Sequence, residues 1–440
     1  MSTEHQTRTV TIEEAVRAAM ELHRNGQLDE AEALYRQILD AAPENADALH
    51  FLGLLMRQCD RDAEALALMR RAVAAAPDYA SAHNNLGNLL CEAGKLDEAS
   101  RHLRRVLALA PHDPRALNNL GNVAHASGQA DEAIRCFERA IALSPEFSLP
   151  YENLGRMRLR GGEVAQAYAL FCKAVALDHT RTRSRAFVGL ALCELGRYDE
   201  ARDHYRKWAE AEPDNAEPRH LLASVEGGTA PTRASDDYVR SVFDGFARTF
   251  DVHLQKLQYR APTLVVEALR AAGALDAIAV LDAGCGTGLC GPLLRPLAAK
   301  LDGVDLSPKM LEHARASGHY DALYESELTA FMRSRPGHYH AIACADTLCY
   351  FGELDEAAQA AFAALHPGGL FAVTLEALAA DSSERYRLTH TGRYAHGSQY
   401  AQLALARAGF ERASIRGEWL RMEAGNEVAG HVVVARKPAA

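Results

Sequence analysis

Residues 279–288 read A-V-L-D-A-G-C-G-T-G, an apolar β-type run that ends on Asp282 and then breaks into alternating glycines, Gly284, Gly286 and Gly288. A strand that feeds a glycine turn and then a helix makes a nucleotide cradle. Glycine lets the backbone approach a ligand that any Cβ would push away, and it supplies the positive φ that the turn needs. A second apolar step, L-D-G-V-D-L-S-P-K-M-L, follows about 20 residues beyond the first glycine and ends its strand at Asp305 and Leu306, where a ribose would lie. The two motifs together predict an adenosine-containing ligand.

Gly286, Gly288 and Gly291 also spell the G-x-G-x-x-G of a dinucleotide site. In that fingerprint the strand runs straight into the first glycine; here Gly284 and Cys285 intervene, and the match is off register. D-x-G-x-G-x-G, with a carboxylate two residues before the first glycine, suits a ligand that carries a cationic amino acid and no pyrophosphate. S-adenosylmethionine is such a ligand. At these motifs the chain resembles the class I methyltransferases, over roughly residues 236 to 436.

Further elements follow the same resemblance. His340 to Ala345 is apolar and short enough for a fourth strand, which leads into Asp346-Thr347-Leu348-Cys349-Tyr350. His366-Pro367-Gly368-Gly369 is a turn that launches a strand from Leu370 to Leu375, and Gly409-Phe410 launches another. The β-branched run Val432 to Ala435 is the seventh strand, which in this family's fold inserts antiparallel beside its neighbour. That strand is a methyltransferase trait and not a dehydrogenase one.

The resemblance also implies roles. Asp282 would hold the methionine amino group, and the backbone of Gly284, Gly286 and Gly288 would face the amino-acid part. Asp305, with Leu306 beside it, would receive the ribose. Glu327, or failing it Glu325, would accept from the adenine amine, and Asp346 would stand beside the methyl and the substrate. The polar segment Thr389 to Ser398, T-H-T-G-R-Y-A-H-G-S, falls where such enzymes build substrate-facing loops. His396 is its candidate general base, because an unperturbed imidazole transfers protons near neutrality. Arg393 is expected to hold an acidic group, and Tyr350 or Tyr394 to position the acceptor. A-D-T-L-C-Y-F-G lacks an N-P-P-Y type signature, which disfavours methylation of adenine or of a glutamine amide.

The first half is organised by a repeat. Alanine recurs at 31, 65, 99, 133, 167 and 201, a strict period of 34 residues. Glycine keeps the same period at 53, 87, 121, 155 and 189, with Ala19 standing in the first copy. Proline closes the units at 43, 77, 111, 145 and 213, with His179 in the fifth. Each unit holds two helices; the small residues lie where the pair crosses closely, and proline ends the second helix. This resembles tetratricopeptide repeats, six of them plus a capping helix over 12–226. Residues 227–235, which include G-G-T-A-P, read as a linker into a domain at 236–440. The expected fold is an all-α solenoid followed by a Rossmann-like, seven-stranded α/β domain, an order shared with bacterial predicted methyltransferases that contain tetratricopeptide repeats.

On a helical wheel Asn84, Asn85 and Asn88 lie opposite His83, Leu86 and Leu90; Asn118, Asn119 and Asn122 repeat the pattern, and Asn153 continues it. Asn85, Asn119 and Asn153 would align into a column of carboxamides along a concave wall, able to bind an extended peptide through its backbone. A similar ladder lines the repeats of the O-linked N-acetylglucosamine transferase; the alternative is that N-N-L-G-N is a common filling of such repeats. Before the glycine loop, Phe243, Phe246 and Phe250 share one face of a helix of the kind that folds over the cofactor in related enzymes.

With 440 residues the chain has room for two or three domains, and a net charge of −10 argues against a nucleic-acid partner. No secretory or membrane-length apolar run is present, which predicts a cytosolic protein. Nine cysteines lack C-x-x-C pairs. Cys285, Cys290, Cys344 and Cys349 read as small buried hydrophobes, with no metal expected. The functional expectation is methyl transfer to a protein or carrier-bound acceptor recruited by the repeats; the alternative is a scaffold that binds cofactor without turnover.

Overall fold

The computed structural model describes residues 11–228, 230–273, 277–411, 413–423 and 426–439. Thr229 of the expected linker lies outside them. Twelve helices from Ile12 to Ala211 come in pairs, beginning with Ile12–Arg24 and Leu28–Ala41. Gly26, Gly94, Gly128, Gly162 and Gly196 make the left-handed turn between partners, and Asp60 takes that place in the second repeat at φ 59°. Aspartate is one of the few side-chain-bearing residues that tolerates the conformation.

The periodic glycines each face one large side chain of the second helix. Gly53 meets Met69, Gly87 meets Leu103, Gly121 meets Phe137, Gly155 meets Phe171 and Gly189 meets Tyr205. A Cβ on Gly121 would come within 2.6 Å of the Phe137 ring, closer than packed carbons approach. In the first repeat Ala19 and Tyr35 hold the equivalent positions, both fully buried.

The chain packs as two compact units, residues up to 158 with 169–181, and 159–168 with 182–440. The sixth pair of helices and the short helix Ala216–Ala223 therefore pack with the α/β part. His220 Nε2 lies 2.8 Å from the Gly392 carbonyl, and its ring stacks on Tyr238 at 4.0 Å between centroids. Glu194 pairs with His390 at 2.9 Å.

The α/β part is built on β1 (Ile278–Ala283), β2 (Ala298–Asp305), β3 (Ala322–Glu325), β4 (Tyr339–Cys344), β5 (Leu365–Ala377), β6 (Tyr386–Leu388), β7 (Tyr394–His396), β8 (Ser414–Glu423) and β9 (Asn426–Arg436). These nine strands form one sheet in the order β3-β2-β1-β4-β5-β7-β6, with β9 also pairing β5 and β8 pairing β9. β1 to β5 run parallel, and β9 inserts antiparallel from Leu370↔Arg436 to Glu376↔Gly430. Of the two strands beyond the expected seven, β7 falls within the segment anticipated as a polar loop and β6 lies just before it. Gly392, at φ 80°, turns the chain so that Thr389 N–H bonds the Arg393 carbonyl at 2.8 Å, and β6 and β7 pair on either side. The central strands are mostly apolar, interrupted by Asp282, Lys300, Asp302 and His340, because helices cover both faces of a parallel sheet. Cys285, Cys290, Cys344 and Cys349 are buried and unbridged.

Candidate functional site

A cavity of about 260 Å³ opens where β1, β2 and β4 end. Ligands of open α/β sheets collect at these carboxyl ends. After β1 the backbone passes through Gly284 (φ 78°), Gly286 (φ 53°) and Gly288 (φ 94°), all left-handed. Asp305, at the end of β2, ties this loop down: Gly286 N–H donates to Oδ2 at 2.9 Å and Ser307 N–H to Oδ1 at 2.9 Å. Burial pushes the Asp305 carboxyl up, against these backbone donors. A Cβ on Gly286 would point into the cavity, where its nearest neighbour is the Phe250 ring at 3.9 Å. The loop thus presents backbone to a slot roofed by an aromatic ring, which suits the sugar and amino-acid parts of an adenosine-type ligand.

The roof is the helix Asp236–Phe246, a single 3₁₀ turn and the helix Phe250–Lys256. Ser235 caps the first helix by accepting from Tyr238 N–H. Phe243 and Phe246 each meet Phe250 edge to face, with centroids 5.9 and 5.8 Å apart, and all three line the cavity. Two hydrogen bonds pin the roof to the loops below: Ser307 Oγ donates to Asp244 at 2.6 Å and Thr287 Oγ1 to Asp251 at 2.5 Å.

The other end of the cavity is ionic. Asp346, in the left-handed region at φ 54°, accepts from Arg393 Nη2 at 2.6 Å and faces Arg421 Nη1 at 3.5 Å. Aspartate tolerates this conformation, as it does at position 60. Glu376 accepts from Arg393 Nε and from Arg421 Nη2, the latter at 2.6 Å. Burial opposes ionisation of Glu376, yet the two guanidiniums outweigh it and hold the carboxyl below its ordinary range. Arg421, only 3% exposed, also donates to Glu423 at 2.6 Å.

Family models match both halves of the chain. Models described as tetratricopeptide repeat cover residues 22–89, 78–146, 126–180 and 152–216, and one described as a methyltransferase domain covers 280–369. The chain carries tetratricopeptide repeats followed by a methyltransferase domain. Methyltransferase-like protein 27 of Homo sapiens is 39% identical over 115 residues, 23% of this chain and 47% of that protein. The ubiquinone biosynthesis O-methyltransferase of Bordetella pertussis (strain Tohama I) is 32% identical over 105 residues, 22% of this chain and 42% of that protein. The chain thus spans about half, or less, of the length of these relatives. Among solved structures, PilW, a type IV pilus biogenesis factor, covers 49% of this chain with all of its own length, at 21% identity and a TM-score of 0.45.

Within the methyltransferase domain, Gly284, Gly286, Asp305, Leu306, Glu327, Asp346, Tyr350 and Arg393 all border the one cavity. Four expected residues stand elsewhere. Asp282 is buried behind the loop with Oδ2 accepting from Tyr320 at 2.6 Å, and burial pushes its carboxyl up to about 7. Gly288 packs on Tyr320 and Ala314. Tyr394 is fully buried and donates to the Pro231 carbonyl at 2.8 Å. His396 is also fully buried: its Nε2 meets the Phe351 carbonyl at 2.8 Å, and burial pushes it down to about 4. An imidazole sealed in the β7 layer reaches no acceptor, so the expected base role does not fit its position. Glu327 borders the cavity, yet both its oxygens are engaged, by Thr329, Ala330 and Arg233. Sequence reasoning missed Glu376, Arg421, Tyr259 and the roof's Asp244 and Asp251. For Arg421 the one signal was a charged residue at an inward register of W-L-R-M-E.

The asparagines of the repeats pair mainly with one another. Asn119 Nδ2 donates to Asn84 at 3.1 Å, Asn153 Nδ2 to Asn118 at 2.9 Å, and Asn85 meets His50 Nε2 at 2.8 Å. Each bond joins one repeat to the one before it. The ladder therefore spends carboxamide groups on stacking the repeats.

Proposed function

We propose that residues 236–440 transfer a methyl group from S-adenosylmethionine to an acceptor brought by a protein partner of the repeats. The observation that carries this reading is the slot over Gly286, tied to Asp305 below and roofed by Phe250 above. When bound, S-adenosylmethionine supplies an activated methyl on a sulfonium. Each carboxylate oxygen of Asp305 keeps lone-pair capacity beyond its backbone donor, enough to receive ribose hydroxyls. Leu306 and Leu328 supply apolar walls for the base, with Glu327 fixed between them by the helix that it caps. Phe243, Phe246 and Phe250 exclude water over the reacting end, and Asp346, Arg393 and Tyr350 orient what enters opposite. Methyl transfer demands this alignment and dryness more than it demands an acid or base. The repeats, by their family, suit a protein partner.

Calorimetry on the full-length protein tests the reading. S-adenosylmethionine and its demethylated product S-adenosylhomocysteine should bind, and NAD should not. Preferential binding of NAD would falsify the assignment.

A further inference from the structure

Opposite the glycine loop the cavity ends in hydrogen-bond donors whose capacity is unspent. Arg393 gives Nε to Glu376 and Nη2 to Asp346, and its Nη1 makes no hydrogen bond among the described residues. Tyr259 and Tyr350 line the same cavity, and neither phenol has a hydrogen-bond partner there, although Tyr350 is only 9% exposed. The carboxylates at this end are in the opposite condition. Asp346 faces two guanidiniums, and Glu376 accepts from the same two. These donors open into the cavity, so this end suits a ligand that brings acceptors.

An ammonium has no lone pair to receive these donors, whereas a carboxylate accepts through two oxygens.

Resting on the S-adenosylmethionine reading above, we infer that the acceptor is a carboxylic acid, held by Arg393, Tyr259 and Tyr350 and methylated on a carboxylate oxygen. The oxygen–carbon bond forms as the carbon–sulfur bond breaks, the bonding pair leaves with sulfur, and no proton changes hands. The product is a methyl ester. Such a transfer needs no base, in keeping with the groups at hand. Burial pushes Tyr259, Tyr350 and Cys290 up, so they keep their protons, and Asp346 is engaged by arginines. His253, on the roof, packs against Phe246 with centroids 5.0 Å apart.

Two measurements on the full-length protein test this. In the first, the protein is incubated with methyl-labelled S-adenosylmethionine and a cell extract, and the labelled product is treated with dilute alkali. Release of the label as methanol is expected; label that survives alkali overturns the proposal and leaves the cofactor reading standing. In the second, S-adenosylhomocysteine is titrated first, and failure of that step alone counts against the cofactor reading. The loaded protein is then titrated with phenylacetate and with phenylacetamide. The acid should bind about tenfold more tightly or better, a difference that Arg393→Gln should erase and Tyr350→Phe should narrow. Arg393→Lys keeps the charge that Asp346 and Glu376 require, which guards against loss of the fold, and should retain part of the preference. Equal binding of acid and amide by the wild type, or a preference that survives Arg393→Gln, also overturns the proposal.

Discussion

Asp305 does two jobs with one carboxylate, because it fixes Gly286 and Ser307 and faces the proposed ribose site. Asp305→Ala should therefore weaken S-adenosylmethionine binding by about 1.5–3 kcal/mol, roughly ten- to more than a hundredfold, as expected for hydrogen bonds to a charged group. Equal calorimetric affinity in wild type and variant would remove Asp305 from the site. His396 belongs to stability instead. Its folded imidazole stays neutral down to about pH 4, whereas the unfolded one takes a proton near its ordinary 6.5. The unfolded chain binds the extra proton in that window, so this contribution to stability is full above about pH 6.5 and is lost as pH falls toward 4. Urea denaturation of His396→Gln should show a weaker loss between pH 6.5 and 4.5 than wild type; identical pH dependence would sink the idea. The glycine loop and Asp305 were legible in the sequence because local spacing defines them. Asp346 and Arg393 were expected at the site from the resemblance, but their meeting with Glu376 and Arg421 was not, since the four leave different strands or turns and come together only when β5, β7 and β8 are assembled. The burial of His396 was hidden for a related reason: T-H-T-G-R-Y-A-H reads as polar loop until the turn at Gly392 folds Tyr394–His396 back onto Tyr386–Leu388.

At the scale of elements, each repeat depends on a gap at its helix crossing. Gly189→Ala would set a Cβ about 2.1 Å from the Tyr205 ring, and such overpacking costs about 1–3 kcal/mol. The melting temperature should fall, and Tyr205→Leu in the same chain should recover part of the loss. If the double variant melts no higher than the single, the ring is not what the glycine accommodates. The asparagine ladder offers a second test. Replacing Asn119 and Asn153 by alanine removes bonds between neighbouring repeats, each worth about 0.5–1.5 kcal/mol, and strands Asn118, which is buried. Thermal unfolding should shift downward before any partner is added; an unchanged melt would return these carboxamides to the role of free peptide ligands. The period of 34 residues made the helices and their crossings readable in advance. The pairing of asparagine with asparagine was not, because it runs between repeats, in a direction that the period of one helix does not reveal.

For the whole molecule, the last pair of repeat helices and the helix Ala216–Ala223 share a compact unit with the sheet. A fragment that begins near residue 230 loses the His220–Gly392 and Glu194–His390 contacts, whereas one that begins at Thr182 keeps them. The longer fragment should melt several degrees higher, and both should bind S-adenosylmethionine if they fold. Equal melting temperatures would mean that these helices lend the sheet no support. The anticipated boundary followed composition, from G-G-T-A-P, while the packing follows side chains such as His220 that composition does not mark.

The glycine of each repeat and the bulky residue that fills its gap lie sixteen positions apart within a single unit, from Gly53 and Met69 to Gly189 and Tyr205. A lock and its own key are thus inherited together. Duplication or loss of one whole unit delivers a matched pair every time, so the array can lengthen or shorten across generations without any compensating change elsewhere. Drift at a single position has no such licence, because a new key must wait for its lock; the number of repeats should vary more readily among descendants of this chain than the residues at their crossings.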